Sequence, residues 1–212
     1  MKLTVFGATG RIGSEIVRQG AAAGHDVTAV VRRGSTVPHL PDDVRLVEVN
    51  EIDGPDVVVP AVTGREAVLS GLGPRSRRGA GVTAPVTRYV LDAMNRADVR
   101  RLLAVSAAPV GAPHPDDSFA TRRVVWPLLS RILRPVCDDL RDMEHALAAS
   151  DTEWTAVRPP RLVNRKATGS YRSAIGESLP RAFTISRADV ARAMLDMVDD
   201  SATYRRVVTV AW

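Results

Sequence analysis

Short β-forming apolar runs alternate along this chain with stretches whose apolar residues recur every three or four positions. Lys2–Phe6, Val27–Val31, Val44–Val49, Ala67–Leu72, Arg101–Ala107, Trp154–Arg158 and Val207–Trp212 each predict a strand bounded by Gly, Pro, Asn or charged residues. Helical spacing places Ile12, Ile16 and Val17 on one face before Gly24 stops the run, and Val86, Tyr89, Val90 and Ala93 on a helix over 82–97. Val124, Val125, Leu128, Leu129 and Ile132 predict the apolar face of a helix over 121–134, which Pro135 breaks or kinks. Leu140, Met143 and Leu147 mark the next helix, 136–149. The last, 186–198, opens with Ser186 as N-cap and Asp189 three residues on, as in a capping box. A short helix over 53–62 is opposed by its valines, and a short strand is expected around Tyr171.

Strands alternating with helices through short turns predict the α/β class: a three-layer, Rossmann-like parallel sheet with helices on both faces. A length of 212 residues fits a single domain over 1–212, with a small C-terminal portion from about 155 to 186 covering a substrate. In such sheets ligands bind outside the carboxyl ends of the strands.

The first strand end carries the sharpest signal. Gly7, Gly10 and Gly13 follow Phe6 and lead into the first helix, with a second strand beyond. A tight turn off a strand needs a residue that tolerates positive φ, close approach of a pyrophosphate needs a backbone without Cβ, and close helix packing needs the third glycine. The free N–H groups at the helix start then favour phosphate. A glycine-rich turn without a ligand is the blander alternative. The second strand ends at Arg32 and Arg33, where an acid would hold the ribose 2′-hydroxyl of NAD; two cations instead select the 2′-phosphate of NADP(H), unless they are solvated surface charges. The expected cofactor contacts are Gly7, Ala8, Thr9, Gly10, Arg11, Ile12 and Gly13 for the phosphates, Arg32 and Arg33 for the 2′-phosphate and Asn50 at the end of the third strand. Leu72, Gly73, Pro74 and Arg75 lie along the middle, with Ser106, Ala107 and Pro159 at the nicotinamide end.

Composition narrows the function classes. The net charge of +5 rests almost wholly on arginine, with Lys2 and Lys166 the two lysines. The arginines are dispersed, and the basic loop 75–78 lacks interleaved aromatics, so nucleic acid is not expected as a partner. No apolar run approaches the ~20 residues of a membrane span, and the N-terminus lacks the pattern of a signal peptide. The single Cys137 forms no internal disulfide, which suits a reducing cytoplasm. A metal site is not expected either, since Cys137 has no histidines at zinc spacing, and a hydrolase reading fails for want of a G-x-S-x-G elbow. Asp138, Asp139 and Asp142 read as a solvated helix face.

Together GATGRIG (7–13), VVRR (30–33), AVSA (104–107), VRPPRL (157–162) and ISRADVARAML (185–195) resemble the atypical short-chain dehydrogenases/reductases. The chain is most similar to NAD(P)H-binding proteins of the biliverdin reductase B (flavin reductase) and NmrA-like type. The resemblance spans nearly the whole chain. It implies hydride transfer from NADPH to a small-molecule acceptor (a flavin, a quinone or a related conjugated compound) by a monomer or homodimer. It equally admits an NADP-binding redox sensor without turnover. Ser106 matches the serine that lies by the nicotinamide in such reductases. Their histidine after the Pro-Pro pair corresponds to Arg161 here, and their aspartate after the third strand to Asn50, which can still hydrogen-bond adenine. An arginine stays protonated and is a poor proton donor, but it can hold an anionic substrate or stabilise developing charge.

Alcohol–ketone chemistry in the wider superfamily uses Tyr-x-x-x-Lys on one helix face. Tyr89, Tyr171 and Tyr204 are followed four residues on by Ala93, Ile175 and Val208, so that chemistry is not expected. Reduction of a flavin or quinone makes weaker demands, because the product anion is delocalised and solvent can protonate it. Ser106 and Arg161 are the candidate catalytic residues; a satisfied strand-end hydroxyl and a surface salt bridge are their structural alternatives. His114, in the Pro-rich loop 109–118 placed to cover a substrate, is a weaker candidate, and His145 reads as structural.

Overall fold

The computed structural model describes residues 1–35, 40–73 and 80–212. Eight strands form one sheet in the order β3-β2-β1-β4-β5-β6-β10-β8. They are β1 (Lys2–Phe6), β2 (Asp26–Arg32), β3 (Arg45–Val49), β4 (Ala67–Ser70), β5 (Arg101–Val105), β6 (Glu153–Arg158), β8 (Arg172–Ile175) and β10 (Arg206–Ala211). Every pairing is parallel except that of β8, which runs antiparallel to β10 at the edge. The sheet is therefore mostly rather than wholly parallel. The chain leaves β1 in one direction to build β2 and β3 and returns to its other side for β4, so the order reverses between β1 and β4. That is where an open α/β sheet forms a crevice for ligands.

Period-two alternation along the strands gives the sheet two apolar faces. Leu3, Val5, Val27, Ala29 and Leu69 pack with Ile16 and Val17 of α1 (Gly13–Ala22) and with Val190, Ala191 and Met194 of α6 (Arg187–Asp196). Phe6, Val68, Leu102 and Ala104 face the other way. They meet α2 (Val59–Val62), α3 (Thr83–Arg96) and α5 (Arg134–Ala148) through Ala61, Val90, Met94, Leu140 and Met143. Burying side chains of this size contributes roughly 1.5–3 kcal/mol each.

Some elements depart from the sequence expectation. The short helix over 53–62 divides into a 3-10 turn, Pro55–Val57, and the single turn of α2, because Pro60 has no N–H to continue a ladder. The helix over 121–134 starts as a π-helical turn, Thr121–Val125, and continues as α4 (Trp126–Ile132). The chain turns at Leu133, and Pro135 enters the first turn of α5, where its missing N–H costs nothing. The expected apolar face of α4 is solvent-exposed: Val124, Val125, Leu128 and Ile132 all remain more than 40% accessible.

Asp139 is not on a solvated face. It is buried, and its carboxylate accepts the backbone N–H groups of Thr83 and Ala84, capping α3 from a neighbouring helix. Burial pushes its pKa up, but these N–H donors outweigh that and hold it below the ordinary carboxylate value. The predicted N-cap of α6 is present: Ser186 Oγ accepts the Asp189 N–H at 2.8 Å, while the Asp189 carboxylate takes the Ser186 hydroxyl, at 2.8 Å, as its reciprocal partner. At the amino edge of the sheet, Arg101 is buried with no carboxylate partner in ion-pair range among the described residues. Its guanidinium donates to the carbonyls of Glu153, Met197 and Val198 and to the hydroxyls of Thr155 and Thr203, and lies over the Tyr204 ring. Burial pulls its pKa down to about 10.

Candidate functional site

The glycine turn sits at the topological reversal. Gly7 adopts φ 72°, the left-handed conformation the turn requires, and its carbonyl accepts the Gly10 N–H at 2.8 Å. The turn is packed from behind by backbone. A Cβ on Gly13 would lie 2.1 Å from the Gly7 carbonyl oxygen, and one on Gly7 would lie 2.9 Å from the backbone of Gly71 and Leu72. Gly71 completes the arrangement: its N–H extends the β1–β4 ladder to Phe6, and a Cβ there would lie 2.9 Å from the Gly13 nitrogen. Three glycines from two separate segments thus interlock behind the start of α1. Gly10 differs; among the described residues a Cβ there would meet only the Gly7 oxygen at 3.0 Å and the Gly71 oxygen at 3.9 Å. The sequence pattern identified Gly7, Gly10 and Gly13 but not Gly71, whose only signal is its place at the end of β4.

The other expected cofactor contacts distribute along the same carboxyl edge. Arg32 is exposed at the end of β2 and forms no ion pair among the described residues, whereas Arg33 is drawn toward Glu48 at 3.8 Å. The two arginines are therefore not equivalent: of the pair, Arg32 is the one without an ion pair among the described residues. Ala8 and Ile12 are buried beneath the turn, Thr9 lies within it, and Arg11 and Asn50 are exposed. Leu72 is half-buried and Gly73 exposed; Pro74 and Arg75 fall outside the described residues. This cradle fits a dinucleotide: a glycine turn without Cβ at Gly7, Gly10 and Gly13, the N-terminal end of α1 behind it, and at the end of β2 an exposed Arg32 with no ion pair among the described residues.

Ser106 is buried just beyond β5, and its hydroxyl donates to Glu144 Oε1 at 2.6 Å. Glu144, on α5, is gripped by Arg158 at the end of β6; Nε donates to Oε1 at 2.9 Å and Nη2 to Oε2. Ser106 N–H also donates to the Val157 carbonyl, and the Ala108 N–H to that of Pro159, so the ends of β5 and β6 are tied together. Sequence reasoning missed Glu144 and Arg158. The serine hydrogen is committed to the carboxylate, and what the hydroxyl offers outward is its acceptor lone pairs.

Ala107 is half-buried beside Ser106, and Pro159 is buried behind it. Arg161 opens β7 (Arg161–Val163), which pairs in parallel with β9 (Thr184–Ser186) as a separate two-stranded sheet. Its side chain is exposed and has no ion pair among the described residues, so the salt-bridge alternative does not hold. His114 is half-buried within its own loop, its Nδ1 accepting the Asp116 N–H at 3.1 Å. Asp117 of that loop accepts the Arg181 N–H, pinning the cover to the segment before β9. His145 is exposed on α5 rather than structural.

Asp189 organises the region beyond β7. It accepts hydrogen bonds from the Ser186 hydroxyl, the Trp212 indole N–H, the Thr168 hydroxyl and the backbone N–H groups of Thr168 and Gly169. Burial raises its pKa and these donors lower it, with the net shift downward.

Comparisons with known proteins agree with this geometry. YwnB of Bacillus subtilis strain 168, itself uncharacterised, is 28% identical over 208 residues, covering 94% of this chain and 92% of its own. A wide-type short-chain dehydrogenase/reductase from Veillonella parvula, solved in complex with NADP, superposes with a TM-score of 0.79 at 20% identity, covering 100% of this chain and 94% of that one. ChuY of Escherichia coli O157:H7, described as an anaerobilin reductase, does so with a TM-score of 0.76 at 20% identity, covering 100% and 97%. These structural likenesses establish a shared fold. No helix among the described residues is long and apolar enough to cross a membrane. Residues 7–201, from the first glycine of the turn to beyond α6, match the family described as NAD(P)H-binding, and the chain belongs to it.

Proposed function

We propose that this protein is an NADPH-dependent reductase that delivers hydride to a flavin, a quinone or a related conjugated acceptor. The carrying observation is the Ser106–Glu144–Arg158 network at the carboxyl edge. Because Glu144 takes the serine hydrogen, Ser106 is poised to accept a hydrogen bond from the cofactor's carboxamide rather than to protonate a substrate. A site organised this way suits acceptors whose reduced anion is delocalised and takes its proton from solvent. When bound, the nicotinamide supplies the hydride. Gly7 to Gly13 hold the pyrophosphate, Arg32 the 2′-phosphate, Asn50 the adenine and Leu72 the central stretch. Arg161, exposed and without an ion pair among the described residues, attracts or steadies negative charge on the acceptor. The NADP complex of the Veillonella protein and the reductase description of ChuY support the same reading.

The test is oxidation of NADPH in the presence of FMN, riboflavin and a quinone panel. Turnover with at least one acceptor is expected; none with any would overturn the reading. A second reading, an NADP-binding sensor that signals through a partner protein, is favoured by the exposed apolar face of α4. It predicts tight NADP binding without hydride transfer.

A further inference from the structure

A cavity of ≈ 280 Å³ opens where the β7–β9 sheet meets the N-terminal ends of α1 and α6. Four cations line it: Arg11 from the glycine turn, Arg165 and Lys166 just after β7, and Arg187 at the start of α6. The one carboxylate in the wall, Glu15, is turned to Arg18 at 2.6 Å and to Gln19 at 3.1 Å. None of the four cations has a carboxylate partner within ion-pair distance among the described residues. Arg187 is held in place by donating to Asn164 Oδ1 at 2.6 Å. Burial lowers its pKa, and the like charge of Arg11 lowers it further, so the protein keeps two guanidinium groups together at a cost. Both α1 and α6 are ten residues long and run back from the carboxyl edge, adding their positive ends to the same concavity.

We propose that this pocket holds the anionic end of the acceptor, a phosphate or carboxylate group, so that the enzyme favours phosphorylated or carboxylated acceptors over their neutral counterparts. The volume lies just below the roughly 300–1,000 Å³ of a pocket that takes a whole ligand, which suits one end of a larger molecule. The location suits it too. One wall is the turn that carries the cofactor phosphates, and the other continues the segment that leaves β6 through Pro159, Pro160 and Arg161. Arg165, Lys166 and Arg187, which are not assigned to the cofactor, give a doubly charged group several charge-assisted hydrogen bonds, with Arg11 shared with the cofactor phosphates. The inference rests on the reductase reading for the identity of its ligand, and its test is separate from turnover.

The experiment compares FMN with riboflavin, which differ by one phosphate, as ligands of the protein saturated with NADP⁺, followed by quenching of flavin fluorescence. FMN is expected to bind about tenfold or more tightly, with inorganic phosphate competing. In the Arg165→Ala/Lys166→Ala variant, shown to be folded by circular dichroism, the FMN advantage should shrink to within about twofold. Three outcomes overturn the proposal: equal affinity for the two flavins, no binding of either, or an FMN advantage that the double variant retains. A fourth is an FMN advantage seen only without NADP⁺, which would assign the pocket to the cofactor. Phosphate-dependent FMN binding without oxidation of NADPH by any acceptor would instead sink the reductase reading and leave the anion site standing.

Discussion

Replacing Gly71 by alanine places a methyl group between the end of β4 and the start of α1. The new Cβ would lie 2.9 Å from the Gly13 nitrogen and 3.0 Å from its Cα, about half an ångström inside the 3.4 Å at which ordinary contact begins. Both neighbours are backbone, so no side chain can rotate away; the turn and the strand must separate. Overpacking of this kind costs about 1–3 kcal/mol, against the roughly 0.4–1 kcal/mol that Gly→Ala gains where the backbone permits it. The shift falls on the turn proposed to hold the cofactor phosphates, so NADP⁺ affinity should drop about tenfold as well. Gly54→Ala is the control, since that glycine has extended backbone and nothing within 4 Å. Urea denaturation reads the stability and calorimetric titration the affinity. A Gly71→Ala protein as stable as wild type that binds NADP⁺ equally well would refute the interlocked-glycine argument.

Arg32→Ala should weaken NADP⁺ binding by about tenfold or more while leaving NAD⁺ unchanged, and Arg33→Ala should do less because Glu48 already engages it; calorimetry with both cofactors decides. Glu144→Gln leaves Arg158 without its counter-charge, and as the pair is only partly buried the expected loss in urea unfolding is about 2 kcal/mol, partly recovered in Glu144→Gln/Arg158→Gln. Asp139 and Asp189 both have folded pKa values below the ordinary carboxylate value, so the unfolded chain binds protons first as pH falls. Their stabilisation is complete above about pH 4 and is lost as pH drops through the folded values; thermal melts across acidic pH should show an acid limb that is shallower in Asp189→Asn.

The parts legible in the sequence are those written in neighbouring residues. The strand–glycine turn–helix unit, the N-cap pairing of Ser186 and Asp189, and the faces of α1, α3 and α5 follow from spacings of two, three and four. What escaped depends on pairs far apart in the chain. Gly71 matters because it backs onto Gly13, and Glu144 because it lies between Ser106 and Arg158. Asp139 resembles its solvated neighbour Asp138 in every local respect, yet it faces the start of α3 and is buried. Periodicity placed the apolar residues of 121–132 on a helix but could not say whether anything covers them. The reversed direction of β8 likewise depends on its pairing with β10 rather than on its own residues.

Arg101 gives the molecule a second anchor, remote from the candidate site. Its five donated bonds fasten β5 to the start of β6 and to the crossover between α6 and β10, all at the rim opposite the glycine turn. The two rims are therefore separable in engineering terms. On the proposed reductase reading, the loop 109–118 on the carboxyl rim can be exchanged to retune acceptor choice while this clasp keeps the last strand in register. A library built on the scaffold should hold Arg101, Thr155 and Thr203 fixed and spend its diversity on the other side.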